Sequence, residues 1–224
     1  MDVLIKHQPS FALAVVTLGP SEEIKAEPGA MVSHSAGVTT DTKMTGGLLG
    51  GLKRMVGGEN FFQNTWKGTP EGGEITLAPT LAGDMIVVEV DETPIFLRSG
   101  AYIASEQTVS MDSAWGGSKG FFGGAGLILL KISGTGKCIA ASYGAIEERQ
   151  LTEGEDYIID TGHVVGFDSS VSYTIQKSGN WKSAILGGEG LVCRFSGPGR
   201  VIMQSRSEES FVGWLTAKLP TKSN

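Results

Sequence analysis

Histidine and cysteine are scarce in this 224-residue chain, with three of the first and two of the second. His7, His34 and His163 lie far apart, without the spacing by which imidazoles and a carboxylate converge on a metal. They are read as structural, and no cofactor is expected. Cys138 and Cys193 form no CxxC pair and sit inside apolar runs, so buried, reduced thiols are expected. Cations are outnumbered: 18 Lys and Arg against 24 Asp and Glu leave a net charge of −6. Such a surface repels nucleic-acid phosphates and disfavours nucleic acid as a partner. Long apolar runs are missing too. None approaches the ~20 residues that span a bilayer, and Lys6, His7, Gln8 and Pro9 break the N-terminal stretch where a secretory apolar region would lie. A cytoplasmic protein without a transmembrane segment is expected.

Catalytic motifs are equally thin. Residues 46–53 resemble a phosphate loop, but Leu52 stands where a lysine should follow the last glycine. There is no Gly-x-Ser-x-Gly nucleophile elbow. Adjacent acids such as Glu147 and Glu148 point to opposite faces of a strand and cannot share a substrate. The chain is read as non-enzymatic.

What the chain has in quantity is glycine, 33 residues, more than a helical protein would carry. The glycines punctuate a recurring design. Residues 187–205 read GGEGLVCRFSGPGRVIMQS, residues 123–142 read GGAGLILLKISGTGKCIAAS, and residues 57–79 read GGENFFQNTWKGTPEGGEITLAP. Upstream of each stands a Gly turn, Pro28-Gly29, Ser99-Gly100 or Thr161-Gly162, at offsets of 71 and 62 residues. The strands around these markers keep a period near two, which favours β-structure. The prediction is an all-β chain of three tandem units, 1–82, 83–143 and 144–206, each with seven or so strands. Small antiparallel sandwiches about a pseudo-threefold axis would let such units share flanks. The second copy has one residue more than the third between its glycine pair and its Gly-x-Gly turn, which predicts a bulge in the intervening strand. Residues 207–220 predict one C-terminal helix packed on the β core. Ser207 is its N-cap, and Phe211, Trp214, Leu215 and Lys218 share a face.

Three insertions, 44–58, 113–126 and 177–188, stand apart. Together they carry five cations (Lys53, Arg54, Lys119, Lys177, Lys182) and no acid, so the −6 chain leaves −11 elsewhere. They also hold Leu48, Leu49, Leu52, Met55 and Val56; Trp115, Phe121 and Phe122; and Trp181, Ile185 and Leu186. One reading is that they fold back to plug their own units, with the lysines reaching water. The other is an exposed cationic, apolar face that binds a partner or a membrane surface, or closes a homo-oligomer. Lys119 near Trp115 and Phe121, and Lys177 and Lys182 around Trp181, are the pairs that an RNA-binding alternative would use.

GGLLGGLKRMVGGENFFQNTW (46–66), SGAYIASE (99–106) and the terminal GWL…LP resemble the altered-inheritance-of-mitochondria protein twenty-four family, prokaryotic members above all. The resemblance covers nearly the whole chain. It implies three tandem domains like the tryptophan RNA-binding attenuator protein, each a short double-stranded β-helix, and it brings no catalytic residues. Mitochondrial members are associated with inner-membrane organisation. The functional expectation is therefore a non-enzymatic oligomeric scaffold, peripheral to a membrane, with RNA or a small ligand as the alternative.

Overall fold

The computed structural model describes residues 1–44, 62–113, 127–177 and 191–220. These form nineteen strands and one α-helix, so the chain is all-β with a helical end. Strand β1 (Asp2–Lys6) lies antiparallel on β2 (Leu13–Leu18). From β2 onward the strands fall into three blocks of six. The first block continues with β3 (Glu23–Ala26), β4 (Met31–His34), β5 (Thr39–Met44), β6 (Phe62–Lys67) and β7 (Gly73–Leu77). The second holds β8 (Met85–Val90), β9 (Ile95–Arg98), β10 (Tyr102–Glu106), β11 (Val109–Ser113), β12 (Leu129–Gly134) and β13 (Gly136–Ala141). The third holds β14 (Ile146–Leu151), β15 (Asp156–Asp160), β16 (Val164–Asp168), β17 (Ser172–Lys177), β18 (Leu191–Ser196) and β19 (Gly199–Gln204).

Every block pairs its strands alike. The first and third strands flank the sixth (β2-β7-β4), and the second and fourth flank the fifth (β3-β6-β5). The same pairings recur as β8-β13-β10 with β9-β12-β11, and as β14-β19-β16 with β15-β18-β17. Alternation gives each three-stranded layer one apolar face. In β2, Ala14, Val16 and Leu18 are fully buried, while on the other face Val15 is 9% exposed and Thr17 is open to solvent. Each block is thus a three-on-three sandwich, with six strands rather than seven.

Neighbouring blocks are welded by shared sheets. β3 pairs with β10, merging half of block one and half of block two into a six-stranded sheet; β9 pairs with β16 to make the next. The two outer half-sheets, β1-β2-β7-β4 and β15-β18-β17, remain separate. Three apolar clusters fill the blocks, and each of the first two takes side chains from the block that follows. Fully burying one such Ile or Leu contributes about 1.5–3 kcal/mol.

The expected bulge is displaced. β12 and β18 pair without a register break, because the extra residue of the second copy falls before those strands begin. The breaks lie instead at Met31/Ser33, Tyr102/Ala104 and Val164/Gly166, the same place in β4, β10 and β16. In β10 and β16 the strand there serves two neighbours, and the extra residue bends it from one sandwich toward the next; β4 carries the same bulge with β7 as its one described neighbour.

Helix α1 (Glu208–Thr216) starts where the sequence predicts, with the Ser207 side chain accepting a bond from the Ser210 amide at 3.4 Å and two glutamates in its first turn. It covers less than predicted. Its contacts with the body include the Tyr143–Phe211 ring pair at 5.9 Å and the Arg98–Glu208 ion pair at 3.8 Å, both from its first turns, and no residue of the helix is buried. Among the described residues no helix is long and apolar enough to cross a membrane.

Candidate interaction site

α1 leaves its apolar side chains in water. Phe211, Val212, Trp214 and Leu215, with Leu219 just beyond the helix, are 37 to 59% exposed. The i, i+3, i+4 spacing that reads as a core-facing stripe holds as geometry, since Phe211 and Trp214 stack with centroids 6.2 Å apart. Periodicity defines a face but not what meets it. Here the face meets solvent, and a contiguous apolar surface on a polar body marks a contact site.

Under the first turns of the helix lies a cleft of ≈ 390 Å³, lined by Pro79, Leu81, Ile103 and Tyr143, with Glu27, Thr80, Ser142 and Glu208 among its polar members besides Arg98 and Gln204. Those two groups are engaged internally. The Arg98 guanidinium donates to the Gly162 carbonyl at 3.3 Å besides pairing with Glu208, and Gln204 Nε2 donates to the same carbonyl at 2.9 Å.

A second polar group is buried at the β3–β10 junction. Gln63 Nε2 donates to the Tyr102 hydroxyl at 2.7 Å, and that hydroxyl shares a hydrogen bond with Ser105 Oγ at 2.9 Å. Lys25 Nζ donates to the carbonyls of Gln107 (3.2 Å) and Val109. Burial raises the Tyr102 pKa, lowers that of Lys25, and pushes the nearby Cys138 thiol up to about 12. Burial likewise lifts Cys193 to about 12. A thiol held protonated is a poor nucleophile and a poor metal ligand, so both cysteines serve as small apolar side chains. The sequence reading missed this network. Its one signal was a tyrosine at a position where the other blocks carry Met31 and Val164, since a buried phenol needs partners.

The histidines are dispersed: His34 Nδ1 lies 3.0 Å from the Ser35 carbonyl, and His163 Nδ1 lies 2.7 Å from the Gln204 carbonyl. Among the described residues no three His, Cys, Asp or Glu side chains gather where they could hold a metal. The residues proposed from sequence for a partner or membrane face all lie outside the described residues. These are Leu48, Leu49, Leu52, Lys53, Arg54 and Met55; Trp115, Lys119, Phe121 and Phe122; and Trp181, Lys182, Ile185 and Leu186. Their segments join β5 to β6, β11 to β12 and β17 to β18, the corresponding hairpin of each block.

The sequence profile of the mitochondrial biogenesis AIM24 family matches residues 3–206. An uncharacterized protein of Streptococcus pyogenes serotype M6 is 31% identical over 233 aligned positions, covering 100% of this chain and 93% of that protein. A crystal structure of a Streptococcus pyogenes protein superposes with a TM-score of 0.80 at 30% identity, covering 97% of this chain and 99% of that one. On the profile match and on both of these likenesses, the chain belongs to the mitochondrial biogenesis AIM24 family.

Proposed function

We propose that the protein is a non-catalytic scaffold that docks on a membrane surface or a membrane-associated partner. The observation that carries this reading is the open apolar face of α1, where Val212, Trp214 and Leu219 are each more than half exposed. Trp and Leu on one side of a short surface helix suit the boundary between headgroups and acyl chains. The charge split supports the same reading, because the cations of 44–58, 113–126 and 177–188 sit among apolar residues in a chain otherwise strongly acidic. Cations near an anionic leaflet add on the order of 1 kcal/mol each.

Flotation with vesicles of phosphatidylcholine alone and with added phosphatidylserine tests this. The protein is expected to float with the anionic vesicles. Trp214→Glu and the triple change Leu48/Leu49/Leu52→Asp are each expected to weaken that binding. Absence of flotation from both vesicle types, or binding untouched by either variant, would contradict the membrane reading. The cleft beneath α1, of a size that holds small ligands, supports the alternative of a small-ligand module. Chemical-shift changes confined to Ile103 and Tyr143 on titration with a ligand library would favour it.

A further inference from the structure

The blocks are joined by two junctions, and the pairing rule that builds them leaves a third unmade. Counting from Gly29, Gly100 and Gly162 aligns the blocks. In the first junction Ala26, Lys25 and Ile24 of β3 face Ala104, Ser105 and Glu106 of β10. In the second, Leu97, Phe96 and Ile95 of β9 face Gly166, Phe167 and Asp168 of β16. The equivalent residues left over are Ile159, Ile158 and Tyr157 of β15 and Ser33, His34 and Ser35 in and just after β4. β15 ends one sheet and β4 ends another, and among the described residues no strand lies against the outer edge of either.

Burial tells the same story. Ile103 and Val165, one residue before the facing positions in β10 and β16, are 1% and 0% exposed, and each packs in the core of the preceding block. Their counterpart in β4, Val32, is 55% exposed. Ile158 on the opposite edge is 57% exposed, whereas its counterpart Phe96 lies ring to ring with Phe167 across the second junction, centroids 5.3 Å apart. A groove of ≈ 390 Å³ opens along β15, walled by Ile146 and Met203 on one side and Tyr157 and Ile158 on the other. The corresponding opening of block one is filled by Met85, Ile103 and Ile139 of block two; that of block two, by Ile146, Val165 and Ile202 of block three.

We propose that β15 pairs antiparallel with β4 of a second copy of this chain, Ile159 opposite Ser33 and Ile158 opposite His34, with Val32 of that copy entering the groove. The two separate half-sheets then fuse into a seven-stranded sheet that repeats the order of the six-stranded ones and adds β1 at one end. An unpaired edge is a template for another strand, and here the matching edge, register and bulge are all carried by the same chain. The contact is heterologous, so a joined pair keeps one free β4 edge and one free β15 edge. Assemblies therefore close as rings or extend as filaments. This inference stands on strand edges and does not depend on membrane docking.

Light scattering after gel filtration tests it on the full chain. Wild type is expected to run as a multimer. Ile158→Glu, which places a carboxylate in the junction, and Val32→Glu, which places one in the groove, are each expected to be monomeric, with self-association weakened roughly 100-fold. Mixed together, the two variants retain one good edge apiece and are expected to form a dimer that grows no further. Circular dichroism of each variant checks that it is folded. An independent measurement mixes Ile158→Cys with His34→Cys chains under oxidation. Directly opposed strand residues stand about 4.5–5.5 Å apart, within disulfide reach, and a link between chains is expected. Three results would overturn the proposal: a monomeric wild type, a multimer unchanged by both glutamate variants, or no disulfide between the Ile158→Cys and His34→Cys chains. Absence of vesicle flotation by a multimeric wild type would strike the membrane reading alone.

Discussion

The two internal junctions have the same backbone and different chemistry. At β3–β10 the facing pair is Lys25 and Ser105, backed by the Tyr102–Gln63 network. At β9–β16 the corresponding pair is Phe96 and Phe167, and Phe167 also touches Tyr173 and Phe195. Register and bulge are common to both. The joint is therefore specified by the backbone of one short strand meeting another, and a polar or an apolar filling serves equally. That tolerance is why Ile158 and His34, a third kind of pair, suit a third joint.

Substitutions can separate these contributions. The largest effect is expected from Phe167→Ala, which removes a fully buried ring from the apolar junction and should cost about 3–5 kcal/mol in chemical denaturation. Next comes Gly166→Ala. A Cβ there would stand 2.6 Å from the Phe96 carbonyl oxygen, and the strain should cost about 1–3 kcal/mol, although Ala104 occupies the same place in the polar junction without difficulty. Tyr102→Phe leaves Gln63 and Ser105 short of a partner, and a loss of about 1–2 kcal/mol is expected. If Tyr102→Phe proved costlier than Phe167→Ala, the polar network would be the stronger joint and the comparison would reverse.

A smaller effect concerns alkali. Burial pushes the thiol of Cys138, beside the polar junction, up from an ordinary 9.0 to about 12. The folded state favours the protonated thiol, so this contribution is fully present below pH 9 and is lost as pH rises from 9 to about 12. Cys138→Ala should flatten that alkaline fall, measured as thermal midpoint against pH. The native thiols should resist alkylating reagents at pH 8 until the chain unfolds.

The all-β class and the terminal helix were legible, because period-two alternation and a Ser207 cap are local signals that tertiary contacts reinforce. Strand count and bulge position were not. A one-residue difference between copies gives no sign of whether it falls inside a paired strand or before it. The exposed face of α1 was misjudged for a related reason, since Phe211, Trp214 and Leu215 have the spacing of a core stripe whether or not a core receives them. The insertion residues were proposed from composition alone and lie outside the described residues. Least legible were the open edges. Val32 and Ile103 read alike in sequence; only the pairing of β10, and the lack of a described partner beyond β4, tells them apart.

The central claim is that β4 and β15 are halves of one joint. Hydrogen exchange measured strand by strand across protein concentration tests it most directly. Amides of β4 and β15 should gain protection together as concentration rises, while those of β10 and β16 stay protected throughout. Protection of β4 and β15 that is independent of concentration, or absent at every concentration, would contradict the account.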